Sequence, residues 1–331
     1  MAELSVVIVS WNVRELLRRC LASLRTSDDL SPYPREANEI IVVDNGSGDG
    51  SADMVASEFS EVNLIRNADN RGFTAANNQG LAASHGSKLV LLNPDTQVTG
   101  DALATMAAYL AAHPRVGAVG PQLRYPDGTL QSSRRRFPTL ATALLESTLL
   151  QQWWHDNPVL RHYYMLDTPD DAAQPVDWVV GACLMVRREV FEQVGGLDEG
   201  FFMYSEEMDW CHRIKDAGWE VVYLPAAVVI HHEGKSSEQV VAARHIHFQS
   251  SKVRYIRKYH GHARAEAVRI FLLATYAFQW MREALKWLVG HKRPLRAGRI
   301  RAYGQVLRSG LVDAAEQAGR AHRRPGKGET G

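Results

Sequence analysis

The sequence predicts an α/β fold in which a mostly parallel, doubly wound sheet carries helices on both faces, followed by a C-terminal helical extension. Short apolar runs rich in β-branched residues alternate with stretches of helical periodicity in the first part of the chain. Polar clusters follow two of these runs directly, where ligands bind in parallel sheets. After residue 240, helical patterns replace the strands.

The N-terminal part alternates strands and helices. Leu4–Ser10 is a strand-length apolar run, and apolar residues then recur at helical spacing from Leu16 to Leu24. We expect further strands at 39–44, 62–65, 88–92 and 116–120, and helices near 51–59, 74–84 and 101–112. No G-x-G-x-x-G follows the first strand and no G-x-x-x-x-G-K-[ST] occurs, which argues against a dinucleotide dehydrogenase and a P-loop NTPase.

The middle of the chain gives weaker signals. A turn at 126–128, a basic run at 134–136 and irregular helix over 137–166 are expected. Beyond these, we expect a strand at 179–187, helices at 188–194 and about 205–217, and strands at 221–224 and 228–230.

The predicted organisation has three parts. Residues 1–260 form the first part, which divides at about residue 121 into two halves. Residues 261–320 form a helical, basic amphipathic extension, and 321–331 a disordered tail. The uncharged stretch 270–281 is shorter than the roughly twenty residues that cross a bilayer.

Composition is that of an ordinary globular protein. The net charge is +1 and 45% of residues are hydrophobic, so nothing indicates a nucleic-acid partner. Cys20, Cys183 and Cys211 form no C-x-x-C pair, which argues against a disulfide framework or a structural zinc site. The chain begins without a basic segment and a long apolar run, so we expect no secretion signal and a cytoplasmic protein.

Two polar clusters predict a cation site. Asn93 and Asp95 follow the apolar run 88–92, and carboxylate and amide oxygens suit Mg²⁺ or Mn²⁺. His231 and His232 follow another strand, and one imidazole would complete a mixed shell, since neighbouring residues on extended chain point to opposite sides. The alternatives are an Asx-capped turn and a pair of surface histidines.

Three acids begin a predicted helix. Glu206, Glu207 and Asp209 follow the aromatic run 201–204. Acids at a helix N-terminus can serve only the helix dipole. Partial burial among aromatic residues would instead raise the pKa of a carboxyl toward that of a general base, which takes the proton of a hydroxyl nucleophile.

Two loops suit a nucleotide diphosphate. The stretch 70–80 runs into a helix whose free N–H groups, beside Arg71, would hold phosphates. Asp44 and Asn45 begin a polar loop after the second strand, where a carboxylate would accept from a pyrimidine N–H. A capped helix and a plain turn are the alternatives.

These motifs, in this order, resemble family 2 glycosyltransferases of the GT-A fold. The segments that carry the resemblance are VSWN at 9–12, VVDNGSGDGS at 42–51, NRGFTAANNQG at 70–80, LLNPDT at 91–96, GACLMVRREVFEQVGGLDEGFFMYSEEMDWCHRIKDAGW at 181–219 and HHEGKSS at 231–237. The resemblance covers roughly residues 4–260, and it implies that residues 1–260 are the catalytic domain, with a nucleotide-binding half over about 1–121 and an acceptor half over about 122–260. Within the family, the chain looks most like bacterial rhamnosyltransferases that build surface polysaccharides.

The resemblance implies a role for each matching position. On the donor side, it implies that Ser10, Asn12 and Asp44 hold the nucleoside and that Arg71, Gly72 and Asn77 help bind the donor. It implies that Asp95 and His231 lie at the metal and that Asn93 occupies the first position of the family's D-x-D motif. It also implies that Glu207 is the base and that Trp178, Gly181 and Ala182 form the acceptor-side strand. Asn93 replaces an Asp, and Glu207 replaces the usual Asp, so Glu206 and Asp209 stay candidates for the base.

The implied reaction is a single inverting displacement that transfers a sugar from a nucleotide diphosphate, rhamnose from dTDP-rhamnose as the first choice, to a hydroxyl of a saccharide or lipid-linked saccharide. The alternatives are a UDP-sugar donor carrying galactofuranose or N-acetylglucosamine, and a catalytically silent sugar-nucleotide-binding scaffold.

The extension predicts a second partner. Between Arg282 and Arg301, seven Lys or Arg residues face one acid, Glu283, next to Trp280 and Trp287. This pattern suits an interfacial helix on an anionic membrane, which would make the protein peripheral on the inner face of the plasma membrane. Packing on the catalytic domain or a homodimer contact is the alternative.

Overall fold

The computed structural model describes residues 3–26, 38–232 and 241–312. Its strands are β1 (Leu4–Ser10), β2 (Asn38–Asp44), β3 (Asn63–Arg66), β4 (Lys88–Leu92), β5 (Thr96–Val98), β6 (Val116–Arg124), β7 (Leu130–Gln131), β8 (Arg134–Arg135), β9 (Gln174–Val176), β10 (Trp178–Val179), β11 (Cys183–Arg187) and β12 (Glu220–His231). Its helices are α1 (Arg14–Thr26), α2 (Ser51–Glu58), α3 (Phe73–Ala82), α4 (Ala102–Ala112), α5 (Leu140–Leu145), α6 (Leu149–Trp153), α7 (Pro158–Tyr163), α8 (Arg188–Val194), α9 (Glu206–Asp216), α10 (Val241–His260), α11 (His262–Leu288) and α12 (Arg293–Ser309). The predicted disordered tail lies outside the described residues.

The chain forms two compact units. The first comprises residues 1–138, 156–198 and 206–239, and the second comprises 139–155, 199–205 and 240–331. The first contains every strand that the structure describes. Helix α10, which the sequence analysis assigned to the catalytic domain, belongs to the second unit together with α11 and α12.

The first unit is built on one large sheet, while β8 and β10 pair separately in a two-stranded sheet. The strands of the large sheet lie in the order β3-β2-β1-β4-β11-β6-β12-β5, with β7 beside β6 and β9 beside β12. Strands β3, β2, β1 and β4 run parallel, so their carboxyl ends meet at one edge. Strand β11 is antiparallel to both of its neighbours, β4 and β6.

Helices cover the sheet on two sides because side chains alternate along each strand. Val6 and Ile8 of β1 belong to one apolar cluster with residues of α1, α2 and α4. Val9 of β1 instead packs in a second cluster that includes Ala76 of α3. Helix α3 approaches closely: a Cβ at Gly80 would lie 2.3 Å from Val7. The doubly wound α/β fold predicted from the sequence is therefore confirmed.

Three stretches differ in detail from their predicted elements. The strand expected at 179–187 is split into β10 and β11 at Gly181. The strands expected at 221–224 and 228–230 are one strand, β12, whose pairing register shifts between Leu224 and Val228. Pro225 lies at this shift, and because it lacks an N–H it cannot donate to the ladder. The helical stretch expected at 137–166 is three short helices, α5 to α7.

The second unit contains the long helices α10, α11 and α12 and the short α5 and α6. Its buried polar groups include Glu283 on α11, which accepts a 2.6 Å hydrogen bond from Arg296 on α12. Among the described helices, none is both long and apolar enough to cross a membrane.

Candidate active site

The loops after β1 and β2 hold each other at the carboxyl edge of the sheet. Asn12 adopts a left-handed φ of 53°, and its Oδ1 accepts from the Gly48 N–H at 2.8 Å. The Asn12 N–H donates to Ser47 Oγ at 3.0 Å, and the Ser47 N–H donates to Asp44 Oδ2 at 3.1 Å. The two loops therefore form one hydrogen-bonded edge around Asp44.

Two buried oxygens at this edge lack a hydrogen-bond partner within the described chain: Oγ of Ser10 and Oδ1 of Asp44. Buried polar atoms are almost always hydrogen-bonded, so each such atom requires an explanation. Ser10 and Asp44 end adjacent parallel strands, where they pair in register. A ligand that carries N–H or O–H donors, such as a nucleoside, would provide a partner for both atoms.

Asn45 organises the loop before α3. Its Nδ2 donates to Asn70 Oδ1 at 3.0 Å and to the Gly72 carbonyl at 3.1 Å, and its Oδ1 accepts from the Arg71 N–H at 3.1 Å. The amide of this predicted donor-binding residue is therefore engaged inside the protein. Its described role is to fix the loop, while the Arg71 side chain stays exposed.

Helix α3 begins at this loop. Gly72 precedes it with φ 90°, a left-handed value that favours glycine. Asn77 is buried one turn into the helix and donates through Nδ2 to the Phe73 carbonyl at 2.9 Å. The structure thus places Gly72 at the helix N-terminus, where a phosphate would approach, and uses the Asn77 amide nitrogen within the helix.

Asp95 and His231 meet because β5 and β12 pair in antiparallel register. His231 pairs with Thr96, the residue after Asp95. Both side chains are buried, and His231 Nε2 lies 3.4 Å from Asp95 Oδ1. His231 Nδ1 lies 3.0 Å from Gln131 Oε1, so Gln131 orients the ring with Nε2 toward Asp95.

A carboxylate and an imidazole nitrogen that face each other in a buried site are suitable ligands for a divalent cation, and Gln131 orients the imidazole as outer-shell partners of metal-bound histidines do. The sequence analysis missed Gln131, which lies in the two-residue strand β7. Among the described residues, no cluster of three His, Cys, Asp or Glu side chains forms a complete metal site. The pair therefore fits a cation that shares its other ligands with substrate and water.

Asn93 lies beside this pair, at the end of β4. Its Oδ1 is buried without a partner in the described structure. Its N–H donates to the carbonyl of Ala182 at 2.9 Å, which connects the loop after β4 to the stretch before β11. The two residues predicted on the donor and acceptor sides are thus in direct contact.

Glu207 lies next along this connection. The Gly181 N–H points at its Oε1 over 3.4 Å, while Oε2 is buried and has no partner in the described chain. A Cβ at Gly181 would lie 3.1 Å from Glu207 Cγ, so the absence of a side chain there admits the carboxylate. Burial raises the pKa of Glu207, opposed by backbone N–H groups and the charge of Arg135.

Glu206 is more deeply buried, and its Oε2 also lacks a partner in the described chain. Burial, and then the neighbouring charge of Glu207, raise the pKa of Glu206 well above its ordinary value. Two adjacent buried carboxyls do not ionise together easily, so Glu206 holds its proton more strongly than Glu207 does.

Asp209 has a different environment from the two glutamates. It is fully buried and forms a 2.9 Å ion pair with Arg213, one turn further along α9. Arg213 also donates to the carbonyls of Val194 and Gly196, each at 2.6 Å. Asp209 therefore anchors α9 to the turn after α8.

Trp178 and Arg135 form the side of the site beyond Glu207. Trp178 pairs with Arg135 across β10 and β8, and its Nε1 donates to the Arg136 carbonyl at 3.0 Å. The Arg135 guanidinium lies 4.6 Å from the ring centre of Tyr164 and 5.9 Å from that of Trp178. Arg135 was predicted only as part of a basic run, because the pairing of two-residue strands cannot be read from the sequence.

These contacts bring most predicted residues into one arrangement. Asp95 and His231 form the candidate cation site, and Asn93, Ala182 and Gly181 lead from it to Glu207. Asp44 and Ser10 lie at the ends of neighbouring strands of the same sheet. His232, the histidine next to the predicted ligand His231, donates its N–H to the Asp95 carbonyl at 2.9 Å, so it contacts Asp95 through the backbone.

The polar edge of this sheet combines buried oxygens without partners in the described chain, a carboxylate–histidine pair and a buried acid, which together form the candidate active site of an α/β enzyme. The model of glycosyl transferase family 2 matches residues 5–195. The chain belongs to this family and is a glycosyltransferase.

Relatives and solved structures agree with this assignment. The N-acetylglucosaminyl-diphospho-decaprenol L-rhamnosyltransferase of Mycobacterium tuberculosis is 30% identical, over 89% of this chain and 91% of that protein. Rhamnosyltransferase WbbL of Escherichia coli is 26% identical, over 69% and 82%. Mannosyltransferase PcManGT from Pyrobaculum calidifontis, solved with GDP-Man and Mn²⁺, shares the fold with a TM-score of 0.53 at 19% identity, covering 92% of this chain and 87% of that one. The predicted GT-A fold is thereby confirmed.

Proposed function

We propose that the protein transfers rhamnose from dTDP-rhamnose, with inversion, onto a sugar hydroxyl of a lipid-linked saccharide, and that Glu207 is the general base. The observation that carries the proposal is the buried Oε2 of Glu207, which has no partner in the described chain. The contacts described above connect this carboxyl to the Asp95–His231 pair. The names of two relatives, both rhamnosyltransferases and one acting on a diphospho-decaprenol, supply the donor and acceptor classes.

The base must be unprotonated yet basic enough to accept a proton from a hydroxyl. Glu207 suits the second part of this requirement, because burial raises its pKa and no cation is paired with its Oε2 in the described chain. Glu206 retains its proton more strongly, and Asp209 is committed to Arg213. Of the three acids, Glu207 is therefore the base that we propose.

Asp95 and His231 would hold Mg²⁺ or Mn²⁺, and Asn93 Oδ1 would reach the cation or its water. The cation would stabilise negative charge on the leaving diphosphate. Asn93 supplies a neutral oxygen where the resemblance implies a carboxylate, so the protein contributes one negative charge fewer to this site. We therefore expect donor and cation to bind together and to depend strongly on each other.

Asn93 also motivates a second candidate, a silent sugar-nucleotide-binding protein. Both candidates predict that a sugar nucleotide stabilises the fold, because a ligand that binds only the folded state raises the melting temperature. A screen of dTDP-rhamnose and UDP-sugars, with and without Mn²⁺, identifies the donor. We expect the largest rise in melting temperature with dTDP-rhamnose plus cation. A larger rise with a UDP-sugar would make that compound, and not dTDP-rhamnose, the proposed donor.

Transfer itself separates an enzyme from a binder. The selected donor is incubated with an N-acetylglucosaminyl-diphospho-polyprenol, and the product is detected by mass spectrometry. We expect a product that is heavier by one deoxyhexose, formed only with cation and lost in Asp95→Asn. Stabilisation by the donor without turnover on this or other polyprenyl-linked acceptors would favour the silent binder.

A further inference from the structure

The turn between α11 and α12 exposes large apolar side chains. We define the hairpin tip as residues 285–295. Leu285, Leu288 and Val289 are 57%, 63% and 79% exposed, and Trp287 and Leu295 are exposed as well. Single exposed apolar residues are common, but a group of five at one turn marks an interaction site.

The same tip is strongly cationic. From residue 284 to residue 312 the chain contains seven Lys or Arg residues and no Asp or Glu. Lys292 and Arg293 lie exposed at the start of α12, beside the apolar group. The nearest acid, Glu283, is buried and neutralised by Arg296 at 2.6 Å. The tip therefore presents apolar and positive groups with no exposed acid among them.

Internal contacts hold the tip in a defined shape. Arg296 reaches Glu283 across the hairpin, and its Nη2 lies 3.2 Å from His291 Nδ1. Arg293 donates to the carbonyl of Trp287 at 3.3 Å and lies 5.4 Å from the centre of its ring. The apolar side chains are thus exposed on a supported turn.

We propose that the hairpin tip docks the protein onto an anionic lipid bilayer, with Leu285, Leu288 and Val289 entering the interface. Amphipathic groups with Trp, Leu and flanking Lys and Arg bind this surface through apolar burial and attraction to anionic lipids. A two-fold contact between two tips would bring like charges together, which disfavours a second copy. This inference goes beyond the proposed reaction and stands on surface chemistry alone.

Flotation of the full chain with vesicles tests the docking without donor or acceptor. We expect the protein to float with phosphatidylglycerol–phosphatidylcholine vesicles, to stay below pure phosphatidylcholine vesicles, and to bind less at high salt. Each basic residue near an anionic surface contributes about fivefold to binding, so Lys292→Ala with Arg293→Ala should weaken it roughly 25-fold. Leu288→Ser with Val289→Ser should weaken binding at every lipid composition.

Matched controls lie at the far ends of the same helices. Ile270→Ser removes an equally exposed apolar residue about 27 Å along α11 from Leu288, and Arg308→Ala removes a cation about 22 Å along α12 from Arg293. Both should float as wild type does. Equal loss in tip and control variants, or no flotation of wild type with anionic vesicles, would overturn the proposal. So would a concentration-dependent dimer that the tip substitutions dissociate, because the tip would then bind a second copy.

Discussion

Two regions of the molecule bury carboxylates in opposite ways. At the start of α9, Glu206 and Glu207 each keep a buried Oε2 without a partner in the described chain. In the α11–α12 hairpin, Glu283 is also buried but receives a 2.6 Å hydrogen bond from Arg296. Burial raises the pKa values of Glu206 and Glu207. Burial also acts to raise the pKa of Glu283, but Arg296 and neighbouring cations outweigh it and bring that pKa below its ordinary value.

The difference separates a structural acid from a reactive one. A buried acid with a matched cation stabilises one arrangement of two helices, and its loss leaves an uncompensated charge. A buried acid without a cation lowers stability, and such groups concentrate at functional sites. Each prediction below changes one side of this contrast.

The largest effect is expected for Glu207→Gln. This variant keeps the shape of the side chain but cannot accept the proton, and a positioned general base contributes about 10²- to 10⁴-fold to rate. We expect kcat to fall by that factor while calorimetric affinity for donor and cation stays within about twofold of wild type. Glu206→Gln is the control and should retain most activity. Unchanged turnover in Glu207→Gln with loss in Glu206→Gln would move the base to Glu206.

Glu283→Ala tests the paired side of the contrast. It leaves Arg296 buried without its carboxylate, and breaking a buried pair costs about 3–5 kcal/mol. Denaturant unfolding monitored by circular dichroism measures this loss. Glu266→Ala, on the same helix, removes an exposed acid that pairs with Arg269 and should cost less than about 1 kcal/mol. Similar losses in both variants would mean that burial does not distinguish the two pairs.

Asp44→Asn tests the unpartnered oxygens on the nucleotide side. Asp44 Oδ1 has no partner in the described structure, and a hydrogen bond to a charged group contributes about 1.5–3 kcal/mol. We therefore expect donor affinity to fall by about 10- to 150-fold, as measured by calorimetry with the nucleotide alone. Asp53→Asn, an exposed acid on α2, should leave affinity unchanged. Equal affinity in Asp44→Asn and wild type would exclude Asp44 from nucleoside binding.

The smallest effect concerns stability and pH. Because the pKa of Glu206 is raised on folding, the folded chain binds more protons than the unfolded chain at pH values between the ordinary carboxyl pKa and the raised one, so stability falls as pH rises through that window. Glu206→Gln removes this penalty. We expect a higher melting temperature than wild type at neutral pH and no gain at pH values below the ordinary carboxyl range. A variant that is less stable at neutral pH would show that Glu206 is paired.

The sequence was sufficient for the alternating part of the fold and for residues at the ends of strands. Asp44 was predicted correctly to end a strand, and Asn93 and Asp95 to follow one, because apolar runs and the polar residues at their ends are local features. The contact of Asp95 with His231 required the antiparallel pairing of β5 with β12, which joins residues far apart in sequence. Gln131 and the Arg135–Trp178 pairing depend on two-residue strands, which carry no periodic signal.

Local spacing could have revealed more about the acids. Asp209 and Arg213 are separated by four residues, the spacing at which side chains on a helix meet, and this indicates an ion pair. Neither Glu206 nor Glu207 has a basic residue three or four positions away in the sequence. Their burial depends on packing, which the sequence does not display. The candidate base is therefore identified by structure among acids that the sequence only groups.

The pH dependence of kcat/KM for sugar transfer tests the central claim most directly, that an unpaired buried carboxylate at Glu207 is the base. The account predicts an acid limb above the ordinary carboxyl range, because burial raises the pKa of Glu207, and a further move to higher pH in Arg135→Gln, because the Arg135 charge lowers that pKa. An acid limb that falls at ordinary carboxyl pKa values, and does not move in Arg135→Gln, would contradict the assignment of Glu207 as the base.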